Sequence, residues 1–123
     1  MKTALIIEDN LNNMVLITRF LEKSGYQTIQ AFTGTEGFKL ALQKKPDFII
    51  LDIQLPDMDG IEVLNKIRDS EIGKSIPIIA MTSYAMAGDR ERLLSAGCNG
   101  YIEKPIDPER VISQIKHIIG ETI

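Results

Sequence analysis

The chain has little of what most often announces a function. Its one cysteine, Cys98, cannot close an internal disulfide. Within Ala96-Gly97-Cys98-Asn99-Gly100 it reads as a small buried thiol, which fits a reducing, cytoplasmic setting. Its one histidine, His117, stands near the end of the last apolar-periodic segment, where partial positive charge suits a helix C-terminus. Lysine and arginine are scattered rather than clustered and the net charge is −3, so direct nucleic-acid binding is disfavoured. No apolar run reaches transmembrane length, and the opening Met1-Lys2-Thr3-Ala4-Leu5-Ile6-Ile7 stops at Glu8-Asp9, well short of an export signal. A soluble protein that leaves membranes alone is expected. No glycine-rich nucleotide loop occurs, so an NTPase has no support. Internal repeats, linkers and low-complexity tracts are also missing.

What remains is an ordinary globular composition, 44% hydrophobic and 25% charged, in 123 residues. That length suits one domain, 1–123, with a real core. Phe48-Ile49-Ile50-Leu51-Asp52 is the stretch that orients the rest: a short apolar run, bounded by Pro46 and Pro56, that stops on a carboxylate. Such a run reads as a strand buried on both faces of a parallel sheet. Ala4 to Ile7, Gln27 to Ala31, Pro77 to Thr82 and Gly100 to Glu103 read as further strands, the second with a more solvated face. Between them lie helical patterns. Asn10 caps a first helix with the stripe Met14, Ile17, Phe20 and Leu21, ending at Gly25; a second runs from about Thr35 to Lys44. Ile61, Val63, Leu64 and Ile67 carry a third, ending near Asp69, before a polar loop over Ser70 to Lys74. Ala87 to Ala96 gives a fourth, apolar only at Leu93 and Leu94, and Val111, Ile112, Ile115, Ile118 and Ile119 stripe a fifth. Strands alternating with helices through short loops imply an α/β fold, a doubly wound five-stranded parallel sheet with five helices.

In an open parallel sheet ligands bind beyond the carboxyl ends of the strands. Four strands end there in Glu8-Asp9, Asp52, Thr82 and Lys104. Each has an ordinary explanation alone: a helix cap, a turn residue, a β-branched strand residue, a solvated lysine. Together they do not, because carboxylates about 4 Å apart repel by roughly 4 kcal/mol at an effective dielectric of 20. A cation is expected among them, and Mg²⁺ suits oxygen ligands while keeping positions for water and phosphate oxygens. Asp9 and Asp52 are the expected ligands, Glu8 would hold a metal-bound water, and a backbone carbonyl just after Asp52, that of Gln54, would complete the shell. Lys104 would neutralise an incoming phosphoryl oxygen, Thr82 would donate to another, and the small Ser83 would leave space. These are the parts phosphoryl transfer requires.

With Glu8-Asp9, Asp52 within Leu51-Asp52-Ile53-Gln54-Leu55-Pro56-Asp57-Met58-Asp59-Gly60, Thr82-Ser83, Tyr101 and Lys104-Pro105, the chain resembles a response-regulator receiver domain from end to end. Around Thr82 and Tyr101 it looks most similar to stand-alone cell-cycle regulators and to the receivers of hybrid kinases. The resemblance supports a flavodoxin-like sheet of order 2-1-3-4-5. It implies that Asp52 accepts a phosphoryl group from a histidine kinase or a histidine phosphotransfer protein in a two-component or phosphorelay system, with Mg²⁺ required. It further implies that Thr82 and Tyr101 form a switch pair and that Lys104-Pro105 is a cis peptide. Beyond taking and slowly losing that phosphoryl group, the chain is expected to be no enzyme.

Because the chain ends just past the fifth helix, its output is expected to be a downstream protein target, met as a monomer through the surface of the fourth helix, fifth strand and fifth helix. The donor would dock by Asn13, Leu16, Pro105 and Ile106, with Leu16 either exposed there or packed under Phe20. Tyr84 and Gln54 would flank the path of attacking water and slow self-hydrolysis. A haloacid-dehalogenase-type phosphatase also uses a strand-end aspartate, Mg²⁺, a hydroxyl and a lysine. It needs a general acid two residues after the nucleophile, where Gln54 stands, and a cap domain that this length does not allow. In a flavodoxin-like flavin carrier the first loop would bind phosphate, which Glu8-Asp9 would repel.

Overall fold

Three runs without a polar residue, Ala4 to Ile7, Phe48 to Leu51 and Ile78 to Met81, form the middle of a five-stranded sheet in the computed structural model, which describes residues 2–83 and 87–120. The elements are β1 (Thr3–Ile7), α1 (Leu11–Lys23), β2 (Gln27–Ala31), α2 (Gly34–Lys44), β3 (Phe48–Asp52), α3 (Gly60–Asp69), β4 (Ile78–Thr82), α4 (Ala87–Ser95), β5 (Gly100–Glu103) and α5 (Val111–Ile119). All pairings are parallel and the order is β2-β1-β3-β4-β5, as expected.

The two-residue period of a strand explains why unbroken apolar runs are needed in the centre. Leu5, Ile7, Ile49, Leu51, Ile78 and Ala80 face one side, where α2, α3 and α4 contribute Ala41, Val63, Leu64, Ile67 and Leu93. Ala4, Ile6, Phe48, Ile50, Ile79 and Met81 face the other, against Met14, Ile17 and Leu21 of α1 and Val111 and Ile115 of α5. Each fully buried Leu or Ile contributes about 1.5 to 3 kcal/mol. On the outer strand β2, Gln27 and Gln30 are exposed, which accounts for its weaker apolar pattern.

Local chemistry sets the helix starts that aim the loops of the carboxyl edge. Asn10 Oδ1 accepts the Asn13 N–H (3.0 Å), Thr33 Oγ1 accepts the Glu36 N–H (3.1 Å) and Asp59 Oδ1 accepts the Ile61 N–H (2.9 Å). Helix α1 runs to Lys23 with Ser24 as its C-cap, and the expected glycine stop, Gly25, follows with a φ of +95°. One expected detail differs. The segment expected as a plain polar loop contains a 3-10 turn, Ile72–Lys74. Arg68 Nη1 holds it by donating to the Gly73 and Ile76 carbonyls (2.7 and 2.6 Å). On α4, Leu93 is buried and Leu94 is 49% exposed, since a helix turns about 100° between the two.

Candidate functional site

Four strands deliver side chains to one edge of the sheet because their registers are level: Ile7 pairs with Leu51, and Asp52 with Met81, whose neighbour Thr82 pairs with Glu103. By alternation Asp52 continues the row of Phe48 and Ile50, on the α1 and α5 side of the sheet. Asp52 is 1% exposed, and the chain offsets the cost of burying its carboxylate with two donors. The Gln54 N–H donates to Oδ1 at 2.9 Å and Lys104 Nζ stands 3.0 Å from Oδ2. The Lys104-Pro105 peptide bond is cis, and the Lys104 N–H donates to the Thr82 carbonyl (2.9 Å), tying the turn after β5 to the end of β4.

Glu8, Asp9 and Asp52 each offer a carboxylate oxygen within 4.8 Å of the others. Asp9 is exposed, but Glu8 is wholly buried, and neither of its oxygens accepts a hydrogen bond. Lys104 Nζ approaches Glu8 Oε1 only at ion-pair distance, 3.5 Å. Burial first, then the neighbouring Asp52 carboxylate, push the Glu8 carboxyl up from 4.5 to about 7, against the pull of Lys104 and Asn13. One ammonium facing three carboxylates leaves the cluster short of positive charge. Orphaned buried carboxylate oxygens within an all-oxygen donor set are what a hard divalent cation such as Mg²⁺ satisfies, so the residues present fit that ion.

The other expected site residues are placed as follows. Thr82 is buried at the end of β4, and Ser83 and Gln54 are exposed beside the cluster. Tyr101 is half-buried on β5, its ring 5.0 Å from the Arg90 guanidinium, which also reaches Glu103 at 3.4 Å. Asn13 is half-buried on α1, Leu16 is 37% exposed, Pro105 is exposed and Ile106 packs partly against the α1 and α5 core. Leu11 and Val15 add to the apolar surface of α1. Tyr84 lies outside the described residues.

Residues 4–116 match the response regulator receiver domain. The chain belongs to that family. A receiver domain similar to it is the polar-differentiation response regulator DivK of Brucella ovis, 45% identical over 120 residues that cover 98% of each chain. Among solved structures, this receiver domain is similar to that of the sensor histidine kinase PA1611 from Pseudomonas aeruginosa, at 34% identity and TM-score 0.88 over 98% of each chain. That structure has a magnesium ion coordinated in its active-site cleft. The chemotaxis protein CheY4 of Vibrio cholerae shares the fold, with 24% identity, TM-score 0.91, and 96% and 98% of the two chains covered. The family is one of regulatory modules in two-component signalling, and no described helix of this receiver domain is long and apolar enough to cross a membrane.

Three features of this receiver domain have no counterpart in a reading along the sequence. Asp57, in the turn after β3, reaches the start of α2, where it accepts from the Gly34 N–H (2.8 Å), the Thr35 N–H (2.9 Å) and the Thr35 hydroxyl (2.7 Å). Gly60 sits so close to the strand end that an added Cβ would lie 2.4 Å from the Ile53 Cα and 2.8 Å from the Asp52 carbonyl oxygen. Arg90 reaches Tyr101 from another element. The only sequence signal for the first two was their membership of the polar turn Pro56-Asp57-Met58-Asp59-Gly60.

Proposed function

We propose that Asp52 is the phosphoacceptor of this receiver domain, taking a phosphoryl group from a phosphohistidine of a histidine kinase or histidine phosphotransfer protein. The observation that carries this is the setting of its carboxylate: buried, held by the Gln54 N–H and Lys104, and beside two further acids, one with unsatisfied oxygens. A carboxylate oxygen of Asp52 forms the new bond to phosphorus as the bond from phosphorus to the donor imidazole nitrogen breaks. The donor ring carries a proton on its other nitrogen, so the electron pair that leaves with the first nitrogen yields a neutral imidazole, and an acyl phosphate results. Asp9, Asp52 and the Gln54 carbonyl would hold Mg²⁺, with Glu8 behind them. When bound, that ion supplies charge neutralisation for the phosphoryl oxygens. Lys104, 3.0 Å from Asp52, would share that work, and the Thr82 hydroxyl would donate to an equatorial oxygen.

An acyl phosphate adds about 1.5 to 2 negative charges by analogy with other phosphorylated side chains. Thr82 is drawn toward it and Tyr101 turns inward, which alters the surface of α4, β5 and α5 for a protein target. A cleft of about 370 Å³ between β5 and α5, lined by Tyr101, Glu103 and Arg110 among others, lies on that surface. Donor docking uses Asn13, Leu16, Pro105 and Ile106, where Leu16 brings exposed apolar area. The domain acts as a cytoplasmic monomer, with no catalytic turnover beyond gaining and slowly losing its own phosphoryl group; the amide of Gln54, which cannot serve as a general acid, agrees with slow loss. The test is incubation with phosphoramidate, a small donor with a phosphorus–nitrogen bond, followed by intact mass. One added phosphoryl group is expected with Mg²⁺, and none with EDTA or in Asp52→Asn. Equal labelling of Asp52→Asn would refute the assignment.

A further inference from the structure

We infer that Asp57 is a positioning residue for the metal and phosphoacceptor site, acting by clamping the turn after β3 to the N-terminus of α2; the metal half of this rests on the function proposed above. The turn folds back on the site. Its Gln54 N–H donates to Asp52 Oδ1, and Gln54 pairs with Asp59 across an antiparallel bridge. The Gly60 N–H returns to the Ile53 carbonyl at 2.9 Å. Residues 53–60 are therefore a closed turn whose near side carries the Gln54 backbone and whose far tip carries Asp57. Both oxygens of that tip carboxylate are engaged by α2 through three donors, Gly34 N, Thr35 N and Thr35 Oγ1.

Two physical effects make this an anchor. A carboxylate at a helix N-terminus meets unpaired N–H groups and the positive end of the helix dipole. The hydrogen bonds to Asp57 hold its carboxyl down at about 2, so it is ionised whenever the protein is folded at neutral pH. The contact is also close. A Cβ on Gly34 would lie 2.6 Å from the Met58 Cγ, so the start of α2 abuts the turn itself. Helix α2 packs on the sheet face opposite Asp52, and through Asp57 that face bears on where the Gln54 amide and carbonyl stand.

The test uses the full chain in three variants. Asp57→Ala removes the clamp, Thr35→Val removes one of its three bonds, and Thr33→Ala loosens the same helix start by deleting its own cap on the Glu36 N–H without touching the turn. The first readout needs no metal: solvent exchange of the Gln54 amide by NMR, expected at least about fivefold faster in Asp57→Ala, the worth of a single hydrogen bond. The second is titration with Mg²⁺ alone, followed by the shift of the same amide. Affinity is expected to fall about three- to tenfold, at or just below the range seen when a partner that orients a metal ligand is removed. Thr35→Val should move both readouts in the same direction but less, and Thr33→Ala should leave both as in the wild type. Unchanged Mg²⁺ affinity in Asp57→Ala, or equal changes in Thr33→Ala, would overturn the positioning role. A wild type that binds no Mg²⁺ would instead refute the proposed function, while Gln54 exchange would still decide whether the clamp sets the turn.

Discussion

Replacing Glu8 with glutamine should make the metal-free protein more stable at neutral and alkaline pH, although it removes a residue of the site. Glu8 is buried, accepts no hydrogen bond and titrates near 7 when folded, against 4.5 in an unfolded chain. Between those values the folded protein holds a proton that the unfolded chain has released. Stability from this group is therefore fully present below pH 4.5 and is lost as pH rises through 7. A rise of that size corresponds to about 3 kcal/mol of destabilisation on the alkaline side. Glutamine removes the charge but leaves its own amide incompletely bonded, at about 1 kcal/mol, so a net gain of about 1 to 2 kcal/mol is expected. The assay is urea unfolding with EDTA, read by circular dichroism at intervals from about pH 4.5 to pH 8, converted by linear extrapolation. The variant should gain on the wild type as pH rises, and added Mg²⁺ should stabilise the wild type more than the variant, narrowing the gap. A variant less stable than wild type at pH 8 without metal, or a gap that does not change with pH, would refute the reasoning.

Other expectations follow from the same geometry. Gly60→Ala should lose about 1 to 3 kcal/mol in urea unfolding, because the new methyl meets backbone atoms of Asp52 and Ile53 that cannot swing aside. Ile50→Ala, at a position 1% exposed in the sheet centre, should lose about 2 to 5 kcal/mol in the same assay. The Asp57 carboxyl is depressed from 3.8 to about 2, so its contribution is present above 3.8 and fades as pH falls toward 2; Asp57→Asn should flatten the acid limb of the stability curve in that window. Arg90→Ala should release the Tyr101 ring from an exposed cation–π contact worth about 0.5 to 1 kcal/mol, seen as shifted ring resonances by NMR. Tyr101 itself should change rotamer when Mg²⁺ and beryllofluoride are added, and an unchanged rotamer would break its link to Asp52.

The sheet was legible because its central strands have no polar residue to hide their period, and because each ends on a residue that makes little sense in a core. Asp52 and Glu8 could be singled out for that reason, and the structure brings them together with Asp9 and Lys104. What the sequence did not disclose depends on partners far along the chain. Arg68 looks like any helical arginine, yet its guanidinium donates to Gly97, Gly73, Ile76 and Asn99, which turns an apparent polar loop into an ordered 3-10 turn. Asp57 looks like a turn residue, and its bonds run 22 and 23 positions back to α2. Leu94 matches a core residue by type, and only the facing of α4 shows that Leu93 takes that place. In each case the deciding interaction is tertiary, and local pattern carries no trace of it.

The most direct measurement concerns the chemical identity of the modified residue. After reaction with acetyl phosphate and Mg²⁺, borohydride reduces an aspartyl acyl phosphate to homoserine, and tandem mass spectrometry locates it. Homoserine at position 52, found only when Mg²⁺ was present, is the predicted result. Homoserine elsewhere, label on His117, or modification that persists in EDTA would contradict the account.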